Sequence, residues 1–343
     1  MAKVKINEIR EKVERIFRNE GVDENTVKTV TTVLIDTEMK GVKTHGLLRV
    51  PYYVECLRSG GILPEGDIEV ITDTPSMALV SGKGGLGIAV AEKATRLAIE
   101  KAKNTGIGVI SVRGSHHLGA VGYYAEMCAK EGMIGIAMSN GNALIAPTGA
   151  RKVGIGNNPF SYAVPAGKYG TVLYDIAMSM GSDMKVHAMY NEGRRAPEGW
   201  FLDKNGKPST DPADYINGGV LVPFGGYKGY GLAVMVEMMA ALLSGAATTH
   251  TVKAWNKVPR ELGGNVGHFI MALDISKLTD LDDFVRRAED LITELKSTEL
   301  AEGADKIYYP GEKEKDSIES CMDSGLVEVA DDTLARIEEL LGA

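Results

Sequence analysis

The 343-residue chain is poor in cysteine, in aromatic residues, in positive charge and in long apolar runs. Its three cysteines, Cys56, Cys128 and Cys321, are far apart and form no CxxC pattern. That excludes a disulfide framework and indicates free thiols in a reducing compartment. No stretch approaches the roughly 18 apolar residues of a membrane span. The opening segment, Met1 to Ile6, is basic but lacks an apolar signal core. A cytoplasmic protein with no membrane partner is therefore expected. The net charge of -8 argues against a nucleic-acid partner and suits a small anionic substrate held by locally placed cations. No HExxH or Cys/His spacing points to a metal, and no GxSxG supplies a nucleophile elbow. No internal repeat or low-complexity linker is visible.

What remains is an ordinary globular composition, 44% hydrophobic and 24% charged. The length exceeds one hydrophobic core, so two or three packed lobes are expected. Ile9, Val13, Ile16 and Phe17 predict a helix over 6–20 that Gly21 stops. Asp23 predicts an N-cap for a second helix ending near Lys40, and a third is expected from Val50 to Leu57. Thr44, His45 and Arg49 converge if a helix begins near His45. From Ser76 strand and helix alternate: strands at 77–80, 107–112 and 133–139, helices at 88–103 and 123–130. Strands follow at 160–164, 172–176 and 268–275. Helices are expected at 232–243, 281–295, 316–322 and 332–341.

Chemistry concentrates in Arg113 to Tyr124, where His116 and His117 stand between glycines after an apolar strand. Histidine titrates nearest neutrality and serves as acid or base there. Adjacent histidines in an extended segment face opposite ways, so they make no easy chelate. Gly82-Lys83-Gly84-Gly85-Leu86-Gly87 satisfies GxGxxG between a strand and a helix. The following strand ends in Val112-Arg113-Gly114, without an acid for a ribose diol, although Arg113 could instead meet a ribose phosphate, and the motif reads more readily as a packing turn than as a dinucleotide site. Gly225 to Gly231, with Lys228 before an apolar helix, suits an anion site or an aromatic-glycine turn. Asn140-Gly141-Asn142 and Gly154 to Pro159 read as turns able to contact a nicotinamide or ribose. Asp175 ends an apolar run and must find donors there, which ribose hydroxyls would supply. Asp183, Asp203 and Asp211 read as solvated loop acids, and His187, His250 and His268 as structural or surface groups.

These segments together resemble the malate/L-lactate dehydrogenase family, which also holds sulfolactate, ureidoglycolate and diketogulonate dehydrogenases. The resemblance spans nearly the whole chain. It rests on Lys40 to Gly46 with Arg49, Ser115 to Gly119 with Gly122-Tyr123-Tyr124, Gly156 to Pro159, and Asp175 to Ser179. It continues through Pro197 to Trp200, Thr210-Asp211-Pro212, Gly226 to Gly231 and Tyr309 to Glu312. The implied fold is α/β and sulfolactate-dehydrogenase-like: a layered mixed sheet with helices, a helical N-terminal region and a cofactor site that is not a Rossmann fold. Residues 1–70 would form that helical region, packing with C-terminal helices at 313–343, and 71–312 the cofactor- and substrate-binding core. The glycines at 82–87 would then be a packing turn.

The resemblance implies an NAD- or NADP-dependent 2-hydroxy acid dehydrogenase, with malate as the expected substrate and a homodimer as the expected assembly. Sulfolactate, lactate and ureidoglycolate are alternative substrates, reduction of an imino acid an alternative reaction, and an idle nucleotide-binding sensor an alternative role. The family's histidine register falls on His117, with Leu118 in place of the usual aromatic. Its Ser/Thr-His pair falls on Thr44 and His45, and its cofactor contacts on Ser139, Asp175, Ile176, Ala177 and Lys228. Lys43 and Met178 depart from the family's habit. Independently of the resemblance, alcohol oxidation needs a base, for which His117 is the candidate, and a substrate carboxylate suits the planar fork of Arg49.

Overall fold

The computed structural model describes residues 1–253 and 264–342. A first strand, β1 (Ala2–Lys5), leads into α1 (Ile6–Asn19) and α2 (Glu24–Met39). Ile9, Val13, Ile16 and Phe17 are all buried on one stripe of α1. The Asp23 carboxylate accepts the N–H groups of Asn25 and Thr26, capping α2 as its sequence predicts. No α-helix begins at His45. Two successive 3-10 turns, Lys43–His45 and Leu47–Arg49, precede α3 (Val50–Arg58), and they, not a helical i,i+4 step, bring Thr44, His45 and Arg49 together.

Strand and helix then alternate through β2 (Glu69–Asp73), β3 (Met77–Ser81), α4 (Gly87–Thr105), β4 (Ile107–Ser115), α5 (Gly122–Lys130) and β5 (Met133–Ser139). Next come β6 (Ala143–Ile145), β7 (Ile155–Gly156), β8 (Phe160–Pro165), β9 (Thr171–Ile176) and α6 (Asp183–Asn191). Three two-residue strands, β10 (Phe201–Leu202), β11 (Pro208–Ser209) and β12 (Val220–Leu221), surround a short α7 (Pro212–Ile216). A long helix, α8 (Tyr227–Val236), runs on into a π-helical segment, Glu237–Leu242. After it lie β13 (Val266–Asp274), α9 (Leu281–Lys296), α10 (Glu312–Ser324), β14 (Leu326–Val329) and α11 (Asp331–Leu340).

Seven strands form the main sheet in the order β2-β3-β4-β13-β5-β8-β9. Only β3 and β4 pair in parallel, so this is the mixed sheet expected and not a doubly wound parallel one. On one face Ile110, Ile270 and Ala137 are buried against Val90, Ala94 and Ala98 of α4 and Tyr124, Ala125 and Cys128 of α5. A second sheet, β11-β10-β12-β6-β7, braces the glycine-rich middle of the chain. The N-terminal helices share their core with the C-terminal segment: β1 pairs antiparallel with β14, and Val13, Phe17 and Tyr53 are clustered with Val327, Val329 and Ile337. Leu86 and Ile88, at the start of α4, belong to that same cluster. Among the described residues no helix is long and apolar enough to cross a membrane.

Candidate active site

A cavity of about 750 Å³ lies where the N-terminal helical segment meets the main sheet. Thr44, His45, Arg49, His117, Ser139, Asp175, Ile176 and Ala177 all line it, although they are up to 133 positions apart in sequence (44 to 177). Lys228 does not line it. The helix containing Lys228 begins at Tyr227, five residues earlier than the apolar pattern suggests, so Gly226-Tyr227-Lys228 is a helix start with an exposed lysine and not a loop facing this cavity.

The glycine motif at 82–87 positions the histidine loop by close approach. A Cβ at Gly87 would overlap the carbonyl oxygens of His116 and His117, and one at Gly85 would overlap the carbonyl oxygen of Glu65. Only glycine lets α4 begin flush against this backbone. The motif therefore serves packing, and its residues are absent from the cavity wall. The strand before the loop extends to Ser115, which leaves His116 buried at 4% exposure while His117 opens into the cavity.

His117 is oriented by Tyr53, whose hydroxyl lies 2.7 Å from Nδ1, and the Gly119 N–H donates to the same nitrogen at 3.3 Å. The imidazole of His45 stacks on that of His117 with centroids 5.5 Å apart and planes 16° from parallel. Thr44 Oγ1 lies 3.0 Å from His45 Nδ1, and Arg49 Nε donates to the Thr44 carbonyl at 2.6 Å. The Arg49 guanidinium also lies 5.6 Å from the Tyr52 ring centroid. Burial, aided by the Arg49 charge, lowers His45 to about 4. Burial, then Arg49, then His45 hold His117 well below the usual imidazole value. Both rings are thus neutral near pH 7, beside a cation.

Farther along the cavity, Asp175 Oδ2 accepts the N–H of Gly122 at 2.7 Å, at the first residue of α5. Burial raises its carboxyl to about 6 against the opposing Gly122 bond and the Lys40 charge. Ser139 belongs to a buried chain: its Oγ is 2.9 Å from His268 Nδ1, and His268 Nε2 is 2.8 Å from Ser115 Oγ. His268 is wholly buried, and its burial lowers it to about 3.

Sequence reasoning missed several groups. Asp183, read as a solvated acid, lines the cavity, accepts the Tyr215 hydroxyl at 2.5 Å and starts α6. Asp211, read the same way, is exposed and also caps α7 by accepting the Ala213 N–H. Asn140 and Asn158, read as turn residues, converge on Glu237 at 3.3 and 2.7 Å from inside the π-helical segment. Lys40 lies 2.7 Å from both Asp36 and Glu126, and Lys40 and Asp36 line the cavity. The clue was a Lys four residues after an Asp on one helix, a spacing so common on solvated helices that it marks nothing by itself. Among the described residues, no group of three or more His, Cys, Asp or Glu side chains is arranged to hold a metal ion.

This arrangement sets a guanidinium beside two neutral imidazoles at one part of the cavity and a buried acid at another. The family model for malate/L-lactate dehydrogenase matches residues 4–338. The chain is 39% identical over 308 residues to a malate dehydrogenase of Pyrococcus abyssi, covering 88% of this chain and 84% of that one. It is 37% identical over 319 residues to a malate/(S)-sulfolactate dehydrogenase of Methanothermus fervidus, covering 93% and 91%. Its fold superposes on the sulfolactate dehydrogenase structure from Methanocaldococcus jannaschii with a TM-score of 0.93 at 33% identity, covering 99% and 97%. The chain belongs to the malate/L-lactate dehydrogenase family, whose members are 2-hydroxy acid dehydrogenases.

Proposed function

We propose that this protein interconverts a small 2-hydroxy acid, malate foremost, with its 2-oxo acid, using NAD or NADP. The observation that carries the reading is Arg49 set beside the stacked His45 and His117 inside one cavity. The guanidinium grips the substrate carboxylate, which brings the neighbouring carbon to the imidazoles. Lys185 and Lys253 also line the cavity and supply positive charge for a second carboxylate, which favours malate over lactate. The donor set fits a nicotinamide dinucleotide: Asp175 for a ribose, Ser139 and the Ile176-Ala177 backbone along the wall, in a cavity of ligand-site size. Such a cofactor supplies the hydride acceptor and donor.

The proton passes through the Thr44-His45-His117 group. We assign the exchange with the substrate oxygen to His45, because it shares the 43–49 turn with Arg49 and its Nδ1 is oriented by Thr44 Oγ1. His117, the residue the sequence pattern points to, supports the ring from beneath and is fixed by Tyr53. In oxidation His45 accepts the hydroxyl proton, and in reduction it returns one.

The same reading includes a homodimer. Tyr227, Leu232, Met238, Leu242 and Leu243 are exposed along one continuous helical run, an apolar stripe of the kind that a second copy covers. Lys228 belongs to that run, so an assembled dimer is how it would reach a cofactor. Steady-state assays with malate, lactate, sulfolactate and ureidoglycolate, each with NAD and NADP, test the reading. Turnover with malate is expected. No turnover with any acid, alongside measurable cofactor binding, would favour an idle sensor instead.

A further inference from the structure

We propose that this cavity selects NAD over NADP, because among the described residues its end around Asp175 is an acidic wall whose lysines, Lys40 and the neighbouring Lys315, are already paired with carboxylates. The inference rests on the dinucleotide reading above. Two electrostatic neighbourhoods divide the cavity. Thr44, His45, Arg49 and His117 line it in one, whereas Lys40 and Glu314, with Leu173 two residues before Asp175, also line an adjoining recess and mark the other. Hydride transfer belongs to the first neighbourhood, so the adenosine half of a bound dinucleotide extends to the second.

Asp36, Asp175 and Glu314 all line that second end. Asp175 is held by a single backbone donor, Gly122, which leaves its remaining acceptor positions for the two hydroxyls of a ribose. In other dinucleotide sites an acid on the ribose is the usual means of recognising its unphosphorylated form, and an arginine the usual means of accepting its phosphate. Arg49 is the only arginine on the described cavity wall, and it lies in the other neighbourhood. Lys40 lies 2.7 Å from Asp36 and 2.7 Å from Glu126, with its side chain 9% exposed, so two carboxylates already neutralise it. A recess of about 150 Å³ beside this end adds Lys315, which is 3.0 Å from Glu319. A phosphate monoester, carrying about -1.5 to -2 charges at pH 7, would therefore meet carboxylates whose neighbouring lysines are already paired.

Equilibrium titration with NADH and with NADPH, followed by nucleotide fluorescence in the absence of substrate, tests this. The unaltered protein should bind NADH at least about tenfold more tightly than NADPH. Asp175→Asn, which keeps an acceptor for Gly122, should weaken NADH and narrow the ratio. Glu314→Lys, at a position whose side chain caps no element, should strengthen NADPH. Equal or tighter NADPH binding by the unaltered protein would overturn the selectivity, as would a ratio unmoved by both variants. Binding of neither nucleotide would overturn the dinucleotide reading itself, a separate result.

Discussion

His45 and His117 stack face to face, 5.5 Å between centroids, with the Arg49 charge bearing on both. Three groups that can each carry positive charge are gathered in one desolvated place. The two imidazoles give up their protons and the guanidinium keeps its own. A carboxylate entering beside Arg49 would shift that balance toward the imidazolium.

The first prediction concerns pH. In the free protein His45 titrates at about 4. A substrate carboxylate beside Arg49 offsets the guanidinium and favours the imidazolium, so the His45 value rises on binding. For oxidation, which needs neutral His45, the acid limb of kcat should have a higher midpoint than that of kcat/KM. Coincident midpoints, or a lower one in kcat, would contradict the coupling.

Arg49→Lys keeps the charge and loses the fork. With one good hydrogen bond to a charged group lost, about 1.5 to 3 kcal/mol, kcat/KM for malate should fall by roughly 10- to 100-fold. NADH affinity measured by fluorescence should stay within about twofold, since Arg49 lies in the substrate neighbourhood. An equal loss of cofactor affinity would show that the guanidinium serves the dinucleotide instead.

Gly87→Ala tests the packing role of the GxGxxG segment. The added methyl would overlap the His116 and His117 carbonyl oxygens, so either α4 or the histidine loop must move. Overpacking of this kind costs about 1 to 3 kcal/mol, seen as a lower thermal midpoint, and kcat should fall because His117 shifts. Unchanged stability and turnover would mean that the loop has slack.

Much of this was legible beforehand because it is written locally. The stripe of α1 and the Asp23 cap are encoded within a few residues, and the structure keeps both. The alternation from 77 to 139 fixes elements but not their neighbours: β13 enters between β4 and β5 from more than 120 positions away. Pairing at that separation is decided by tertiary packing. The same holds for the site. Thr44, His45 and Arg49 are close in sequence, so their convergence is foreseeable even though 3-10 turns and not a helix produce it. Lys40 with Glu126, and Asn158 with Glu237, meet only because separate elements bury them together. The start of α8 was not legible, because an apolar run after a glycine-rich segment does not reveal where the helix begins, and Lys228 lies at that start.

Acid should destabilise the protein through His268. Its folded value of about 3 lies below the ordinary 6.5, so the unfolded chain binds the extra proton between those values. Stability from this residue is complete above pH 6.5 and declines as pH falls toward 3, at up to about 1.4 kcal/mol per unit. His45 and His117 act with the same sign, while Asp175, raised to about 6, acts oppositely between its folded and ordinary values. His268→Gln isolates one contribution: its thermal midpoint should fall less steeply than that of the unaltered protein from pH 6.5 to 4. Parallel slopes would contradict the assignment.

The most direct measurement is turnover of oxaloacetate with NADH by His45→Asn and His117→Asn, alongside the NADH affinity of each. With His45 exchanging the proton, the first variant should lose about 10²- to 10⁴-fold in kcat while binding NADH normally, and the second should lose less. Full kcat in His45→Asn, with the loss confined to His117→Asn, would contradict the account and return the proton to His117.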